Sequence, residues 1–518
     1  MGSYRILTGG GRFRAVLIIR GIAVGVAAGF AASLYRVFLG LAEKFSLVAL
    51  GGSSPAPLLL TAAAWCAGAW IIAKLMEQEP LSRGGGIPQV EAELLGQISM
   101  NPWRVLLTKF IGGVLAIAMG MSLGRGGPSV QIGAAVGKGA ARLGKTSALE
   151  EKLFLTCGAA AGISAVFNAP LAGVLFVLEE IHKSFSPIIL LAAMTASLAA
   201  DVVSKNFFGL GAFFPVAPHP YLPLGGYIHF LLLGILCGGG GVLFCRAILF
   251  FHGLYSKLRV SLFLKILIPA LAAMTVGLFL PHILGGGQIL VESIGHGKYS
   301  PAVLLFLFAA KLLFTALCFG SGAPGGIFLP MLSLGAALGA LYGSVASQFF
   351  GLDPALSINF LFAGMAGFFA AVVRAPITGI VLIIEMTGSF SQMLPVSVVA
   401  LAAHAVADLL RSEPIYESLR NRLLRSRKEE GEKDGKVLLE GYICAGALLD
   451  GVEVQNADLP AGCLLVTVFR SGEEILPQGD TVLRAGDRIT ALADAQKAAG
   501  VREALLHLAE ICDPEKEV

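Results

Sequence analysis

Apolar stretches dominate the chain as far as about residue 424, recurring at roughly 15–48, 57–77, 103–122, 188–208, 222–251, 260–283 and 301–319. Several exceed the ~20 residues that a helix needs to cross a bilayer. Shorter apolar pieces lie between and after them, at 128–142, 153–166, 169–182, 326–349, 359–372, 376–387 and 394–410, each bounded by Gly, Pro or both. Helices punctuated in this way are predicted to be broken or tilted, because Pro and Gly free backbone groups that must find partners inside the membrane. Past residue 424 the pattern changes. Residues 425–436 are charged and lack apolar periodicity, which reads as a solvated linker. Within 437–510, Cys463–Phe469 and Arg488–Leu492 are strand-like, turns fall at Ser471-Gly472 and Ala485-Gly486-Asp487, and about 494–510 is helical. Residues 511–518 form a short tail. The expected class is therefore an all-α polytopic membrane protein with a small C-terminal cytoplasmic α/β domain.

Composition agrees with lipid as the solvent for residues 1–424. Charged residues are 14% of the chain, against roughly 25% in a soluble domain, and the mean hydropathy is +0.78. The 66 glycines suit close helix packing in a bilayer, where small residues let backbones approach. A net charge of +4 is too slight to imply nucleic acid. The eight cysteines show no paired metal spacing, and His182 and His404 have no second ligand at metal spacing, so no metal or cofactor is expected. No nucleophile–base pair and no P-loop suggests an enzyme. Met1–Arg14 is basic but no small-residue cleavage site follows, so no signal peptide is expected; Gly2 lacks the Ser/Thr at position 6 that myristoylation favours. Arg5, Arg12 and Arg14 precede the first span, and Arg411, Arg420, Arg422, Arg425, Arg427 and Lys428 follow the last. Both termini are thus expected in the cytoplasm of a cell-membrane protein.

The chain also repeats itself. Gly158–Gly173 aligns with Gly364–Gly379, sharing Ala-Pro-x-x-Gly, and the match extends from Glu179 to Glu385. Upstream, Lys109 meets Lys311, Pro128 meets Pro330, and Gly133–Gly137 meets Gly335–Gly339. Two halves result, about 15–210 and 222–424. Duplicated transporters often place substrate at the midplane between interrupted helices, and the alignment alone leaves open whether the halves run parallel or inverted. The Gly124-Arg-Gly-Gly-Pro128 and Gly326-Ile-Phe-Leu-Pro330 breaks expose N–H groups at helix starts, where the macrodipole also favours an anion.

Five segments in order give the membrane part its resemblance: Gly84-Gly-Gly-Ile-Pro88, Gly124–Pro128, Asn168-Ala-Pro-Leu-Ala-Gly173 with Glu179-Glu180, Gly320–Pro330, and Tyr416. Together they resemble the CLC family of chloride channels and proton-coupled anion exchangers. The resemblance implies an inverted pair of tilted-helix halves, a homodimer in membrane lipid, and one anion path per subunit. It implies monovalent anions held by Gly85, Gly86, Ile87, Gly126, Gly127, Ile327, Phe328 and the Tyr416 hydroxyl, with Glu180 on an internal proton path. The C-terminal part, with Leu476–Asp480 and Leu483–Asp487, resembles the TrkA-C regulatory domain of potassium-transport regulators, which implies a small regulatory ligand without defining it.

Two positions depart from the family pattern. Gly126 stands where it has a gating glutamate, so no titratable group is available there and the path is expected to stay open outward. Gly85 stands where many members have serine, so a hydroxyl donor to the central anion is missing and selectivity among anions should be weaker. These departures favour passive chloride conduction. The alternatives are anion/proton exchange, with another carboxylate as gate or with Gly126 replacing a natural glutamate, and a membrane sensor governed by residues 437–510.

Overall fold

The computed structural model describes residues 11–50, 55–144, 146–214, 222–297, 299–353, 356–430, 436–444, 446–470, 473–494 and 498–510. It divides into two compact units, Met1–Arg420 and Asn421–Val518. The helices of the first, in order, are α1 (Gly11–Leu50), α2 (Pro55–Gln78), α3 (Ile87–Leu94), α4 (Pro102–Ala118), α5 (Gly126–Leu143), α6 (Ala148–Phe167), α7 (Pro170–Phe176), α8 (Pro187–Phe208), α9 (Tyr227–Lys257), α10 (Leu262–Phe279), α11 (Gln288–His296), α12 (Pro301–Gly320), α13 (Phe328–Phe350), α14 (Ser357–Val373), α15 (Pro376–Thr387), α16 (Met393–Leu409) and the start of α17 (Ile415–Glu430). Among the described residues eight helices are long and apolar enough to cross a membrane.

Local chemistry sets many of these boundaries. Proline occupies the first turn of α3, α4, α7, α8, α12 and α15, where its missing N–H costs no helical hydrogen bond. Ser147 and Glu150 form a reciprocal capping box at α6. The stretch expected at 103–122 stops at Ala118, shorter than a full span, because Gly120 takes a positive φ of 77° and ends the helix. The piece expected as short and broken at 326–349 is instead the 23-residue α13. The charged linker expected from residue 425 begins later, since α17 runs to Glu430: nothing in Arg422–Glu430 breaks a helix, and Arg, Lys and Glu favour one. The rest of that linker at 431–435, the first ten residues and the tail at 511–518 lie outside the described residues.

The repeat becomes an inverted pair. Gly124 and Gly326, equivalent in the two halves, pair antiparallel, with N–H to O distances of 2.6 and 2.8 Å. Helices α5 and α13 follow from that pairing, so the halves run in opposite directions. The glycine breaks have one shape, with φ of 65° and 99° at Gly84 and Gly86 against 58° and 96° at Gly285 and Gly287. Lys109 Nζ donates to the carbonyls of Ser82 and Gly84 (3.0 and 2.5 Å), and Lys311 Nζ to those of Ile283 and Gly285 (both 2.8 Å). Each half also caps a helix of the other: Glu385 accepts from the N–H groups of Leu171 and Ala172 on α7 (3.0 and 2.8 Å), while Glu179 accepts from those of Ile377 and Thr378 on α15 (3.1 and 2.7 Å).

Glycine sets how closely the paired helices approach. A Cβ on Gly158 of α6 would press into the Gly133 carbonyl of α5, and one on Gly364 of α14 into the Gly335 carbonyl of α13. Gly158→Leu should therefore abolish monodisperse protein, rather than cost the roughly 1–3 kcal/mol typical of an overpacked core. Size-exclusion chromatography of the detergent-solubilised variant checks this, and a normal peak would refute it.

The second unit carries an antiparallel sheet in the order β1-β4-β2-β3, with β1 (Lys436–Tyr442), β2 (Cys463–Arg470), β3 (Glu473–Ile475) and β4 (Arg488–Asp494), and the helix α18 (Ala498–Glu510). β2 and β4 coincide with the two strand-like runs of the sequence, whereas β1 and β3 lie outside them. Leu439, Ile443, Leu465, Val468, Leu483, Ile489 and Leu505 are buried together in its core. Asp487 fixes the turn before β4: its carboxylate accepts from Arg470 Nε and Nη2 (2.8 and 2.6 Å) and from the Arg484 N–H (2.8 Å). Burial alone would raise this carboxyl, but those hydrogen bonds and the two arginine charges hold it below the usual carboxylate range. Its contribution to stability is complete above the ~3.9 of an unfolded aspartate and is lost as pH falls through the lower folded value. Asp487→Asn should cost roughly 1–3 kcal/mol and flatten that acid limb, read as faster hydrogen exchange of β2 and β4 amides in the full-length protein.

Candidate functional site

Three helices that begin near the Gly124–Gly326 bridge, α3, α5 and α13, carry no side-chain cap at their N-termini. The first N–H groups of a helix have no partner within it, and burial makes leaving them unpaired costly. The predicted residues meet here. A Cβ on Gly127 would press against the Gly85 carbonyl, one on Gly86 would lie 3.0 Å from the Gly127 oxygen, and one on Gly326 would lie 3.0 Å from the Gly127 nitrogen. Ile87 and Ile327, at the starts of α3 and α13, are buried with them. Phe328 reaches the Phe176 ring at 5.9 Å, and Phe176 the Tyr416 ring at 6.5 Å, which joins α17 to the group.

Tyr416 is 1% exposed, and its hydroxyl has no hydrogen-bond partner among the described residues. A buried phenol in that condition is free to bond a water or an ion from outside the chain. Glu180 lies close enough to act on Tyr416 electrostatically, and its Oε1 is likewise buried without a partner among the described residues. It sits in a single π turn, Val177–Ile181, that widens the end of α7. The two adjacent glutamates have different surroundings, Glu179 at the α15 N-terminus and Glu180 buried. Lys183, three residues on from Glu180, pairs instead with Glu417 at 2.7 Å and reaches Glu91 at 4.0 Å, while Arg420 contacts Glu91.

The two departures from the family pattern differ physically. At Gly85 a Cβ would meet only the Phe319 ring, at an ordinary 3.6 Å to Cε2 and 3.9 Å to Cζ, so there is room for a side chain to begin and the missing hydroxyl is a matter of chemistry rather than space. At Gly126 a Cβ would lie 2.9 Å from both Cβ and Cγ of Phe328 and 3.1 Å from Phe167 Cε2. The space expected to stand open is filled by phenyl rings. Arg125 is 8% exposed, donates to Gln288 Oε1 at 2.6 Å and lies over the Phe213 ring at 4.7 Å. Sequence spacing gave no sign of the aromatic cluster, because its members come from separate segments far apart in the chain. Among the described residues no three His, Cys, Asp or Glu side chains gather to hold a metal ion.

Inverted halves, interrupted helices and uncapped N-termini converging on a buried centre define a membrane transporter for a small anion. Residues 61–408 match the voltage gated chloride channel family, and residues 443–506 match the TrkA-C domain; the chain belongs to the CLC family. It is 40% identical over 361 residues to the H(+)/Cl(-) exchange transporter ClcA of Vibrio cholerae serotype O1, covering 67% of this chain and 76% of that one. The ClcA exchanger of Yersinia pseudotuberculosis serotype IB is 35% identical over 425 residues, covering 80% and 89%. Among solved structures, a slow cyanobacterial Cl-/H+ antiporter superposes with a TM-score of 0.76 at 28% identity, over 80% of this chain and 99% of that one. A eukaryotic CLC transporter shares the fold, with a TM-score of 0.68 at 20% identity, over 96% and 89%.

Gly85→Ser should tighten chloride binding about five-fold, the worth of one hydrogen bond of roughly 1 kcal/mol, and Tyr416→Phe should weaken it by a similar factor. Isothermal titration with chloride checks both, and equal affinities in all three proteins would remove these positions from the site.

Proposed function

We propose that this CLC-family protein carries chloride and similar monovalent anions through the centre where α3, α5, α13 and α17 begin, in exchange for protons. The observation that carries the anion site is the set of buried, uncapped helix starts beside an unpartnered Tyr416 hydroxyl. N–H dipoles and one phenol replace part of an anion's hydration without a fixed positive charge that would trap it. Support for proton coupling comes from the relatives named as proton/chloride exchangers and from Glu180, a buried carboxyl beside Tyr416. These favour exchange over the passive conduction that Gly126 first suggested. Passive flux stays as the second reading on one observation: position 126 holds no group that takes up a proton. A homodimer with cytoplasmic termini, a path in each subunit and a regulatory ligand on the TrkA-C domain complete the proposal.

Chloride-loaded proteoliposomes separate the readings. Exchange predicts proton uptake that accompanies chloride efflux and is driven uphill by the chloride gradient; Glu180→Gln should abolish proton movement while chloride efflux continues. Chloride efflux with no proton movement in the wild type would establish the passive reading instead.

A further inference from the structure

Glu43, on α1, is a carboxylate that the repeat does not account for. Its Oε1 lies 3.5 Å from the Gly286 nitrogen, and a Cβ on Gly285 would lie 3.2 Å from it. Gly285–Gly287 is the second half's copy of the Gly84–Gly86 break. The first break opens α3, whose Glu91 acts electrostatically on Glu180. Because the halves are inverted, the second break, and Glu43 with it, lies on the opposite side of the centre from Glu180. Gly286 in turn touches that centre: a Cβ there would lie 2.8 Å from Leu329 Cδ2 and 3.6 Å from the Leu123 carbonyl, residues beside the Gly124–Gly326 bridge.

A small cavity opens beside the carboxylate, lined also by Ser46, Leu47, Gly287 and Gln288. Ser46, one turn along α1 from Glu43, is 2% exposed, and its hydroxyl has no partner among the described residues. A polar cavity of this kind suits water, which carries protons. Gln288 ties it to position 126, since its Oε1 accepts from Arg125, the residue before Gly126, and its Nε2 donates to Glu292 at 2.9 Å. Arg125 on α5 and Lys311 on α12 are the cations close enough to act on Glu43. Lys44 and Glu292 are exposed.

We propose that Glu43 is the second proton-binding carboxyl of the exchange cycle, serving the side of the centre opposite Glu180 in place of the glutamate that position 126 lacks. This rests on the exchange reading above and adds the group that reading leaves unnamed. A proton released by Glu180 leaves a carboxylate there, crosses the centre on water, and is bound by ionised Glu43, which then gives it up to the bulk on its own side. Ionised Glu43 repels an anion at the starts of α5 and α13, whereas the neutral acid does not. Anion binding and protonation of Glu43 therefore favour one another, as neighbouring like charges require.

The test follows chloride efflux and proton uptake together in chloride-loaded proteoliposomes, for the wild type, Glu43→Gln and Ser46→Ala. Glu43→Gln should cut proton uptake by about ten-fold or more, at the low end for loss of a proton-transferring group, while chloride efflux continues. Ser46→Ala should lower the proton-to-chloride ratio to a smaller extent and serves if the first variant does not fold. By calorimetry the wild type should bind chloride about two- to three-fold tighter at pH 5 than at pH 8, the worth of one screened like-charge contact, and Glu43→Gln should lose most of that difference. A merely structural role for Glu43 would leave the pH dependence in place. A wild type that couples protons, with monodisperse variants that couple them at the same ratio, would overturn the role of Glu43 and leave exchange intact. A wild type with chloride efflux and no proton uptake would overturn the exchange reading itself.

Discussion

Backbone hydrogen bonding in a low-dielectric interior is the constraint from which this architecture follows. A helix interrupted inside a membrane leaves N–H and C=O groups that water cannot reach. This chain serves most of its breaks from within. The carbonyl ends at Gly84 and Gly285 are held by Lys109 and Lys311, and the N-termini of α7 and α15 by carboxylates of the opposite half. Several other helices also begin without a side-chain cap, but the uncapped starts of α3, α5 and α13 are the ones gathered at the Gly124–Gly326 bridge. On the proposed reading, they are the donors that meet the anion.

The cross-half carboxylates also show why the duplication is a structural unit and not merely a relic. Glu179 and Glu385 are equivalent, yet each completes the other half's helix, so neither half satisfies its own backbone alone. Equivalent lysines do the same kind of work within each half. The halves differ where equivalence fails: the π turn gives the first half a second buried carboxyl, Glu180, and Tyr416 comes from α17, past the last matched segment of the second half.

Much of the candidate site was legible beforehand because its donors are backbone groups, and backbone exposure is announced by Gly and Pro. Gly84–Pro88, Gly124–Pro128 and Gly326–Pro330 marked the breaks, and the repeat marked their pairing. What filled position 126 was not legible. Phe167, Phe213 and Phe328 are three among 32 phenylalanines in an apolar chain, and no spacing links residues brought together from separate elements. The roles of Glu179 and Lys183 were also hidden, since each meets a partner roughly two hundred residues away.

The sequence by itself determined the solvent, the two units, the places where helices break and the duplication, because hydropathy, glycine, proline and self-similarity are properties of residue order. The tertiary structure alone decided that the halves run antiparallel, that each caps the other, and that Gly126 faces phenyl rings rather than open space. Those outcomes depend on which distant surfaces meet, and close packing fixes that only once every helix is in place.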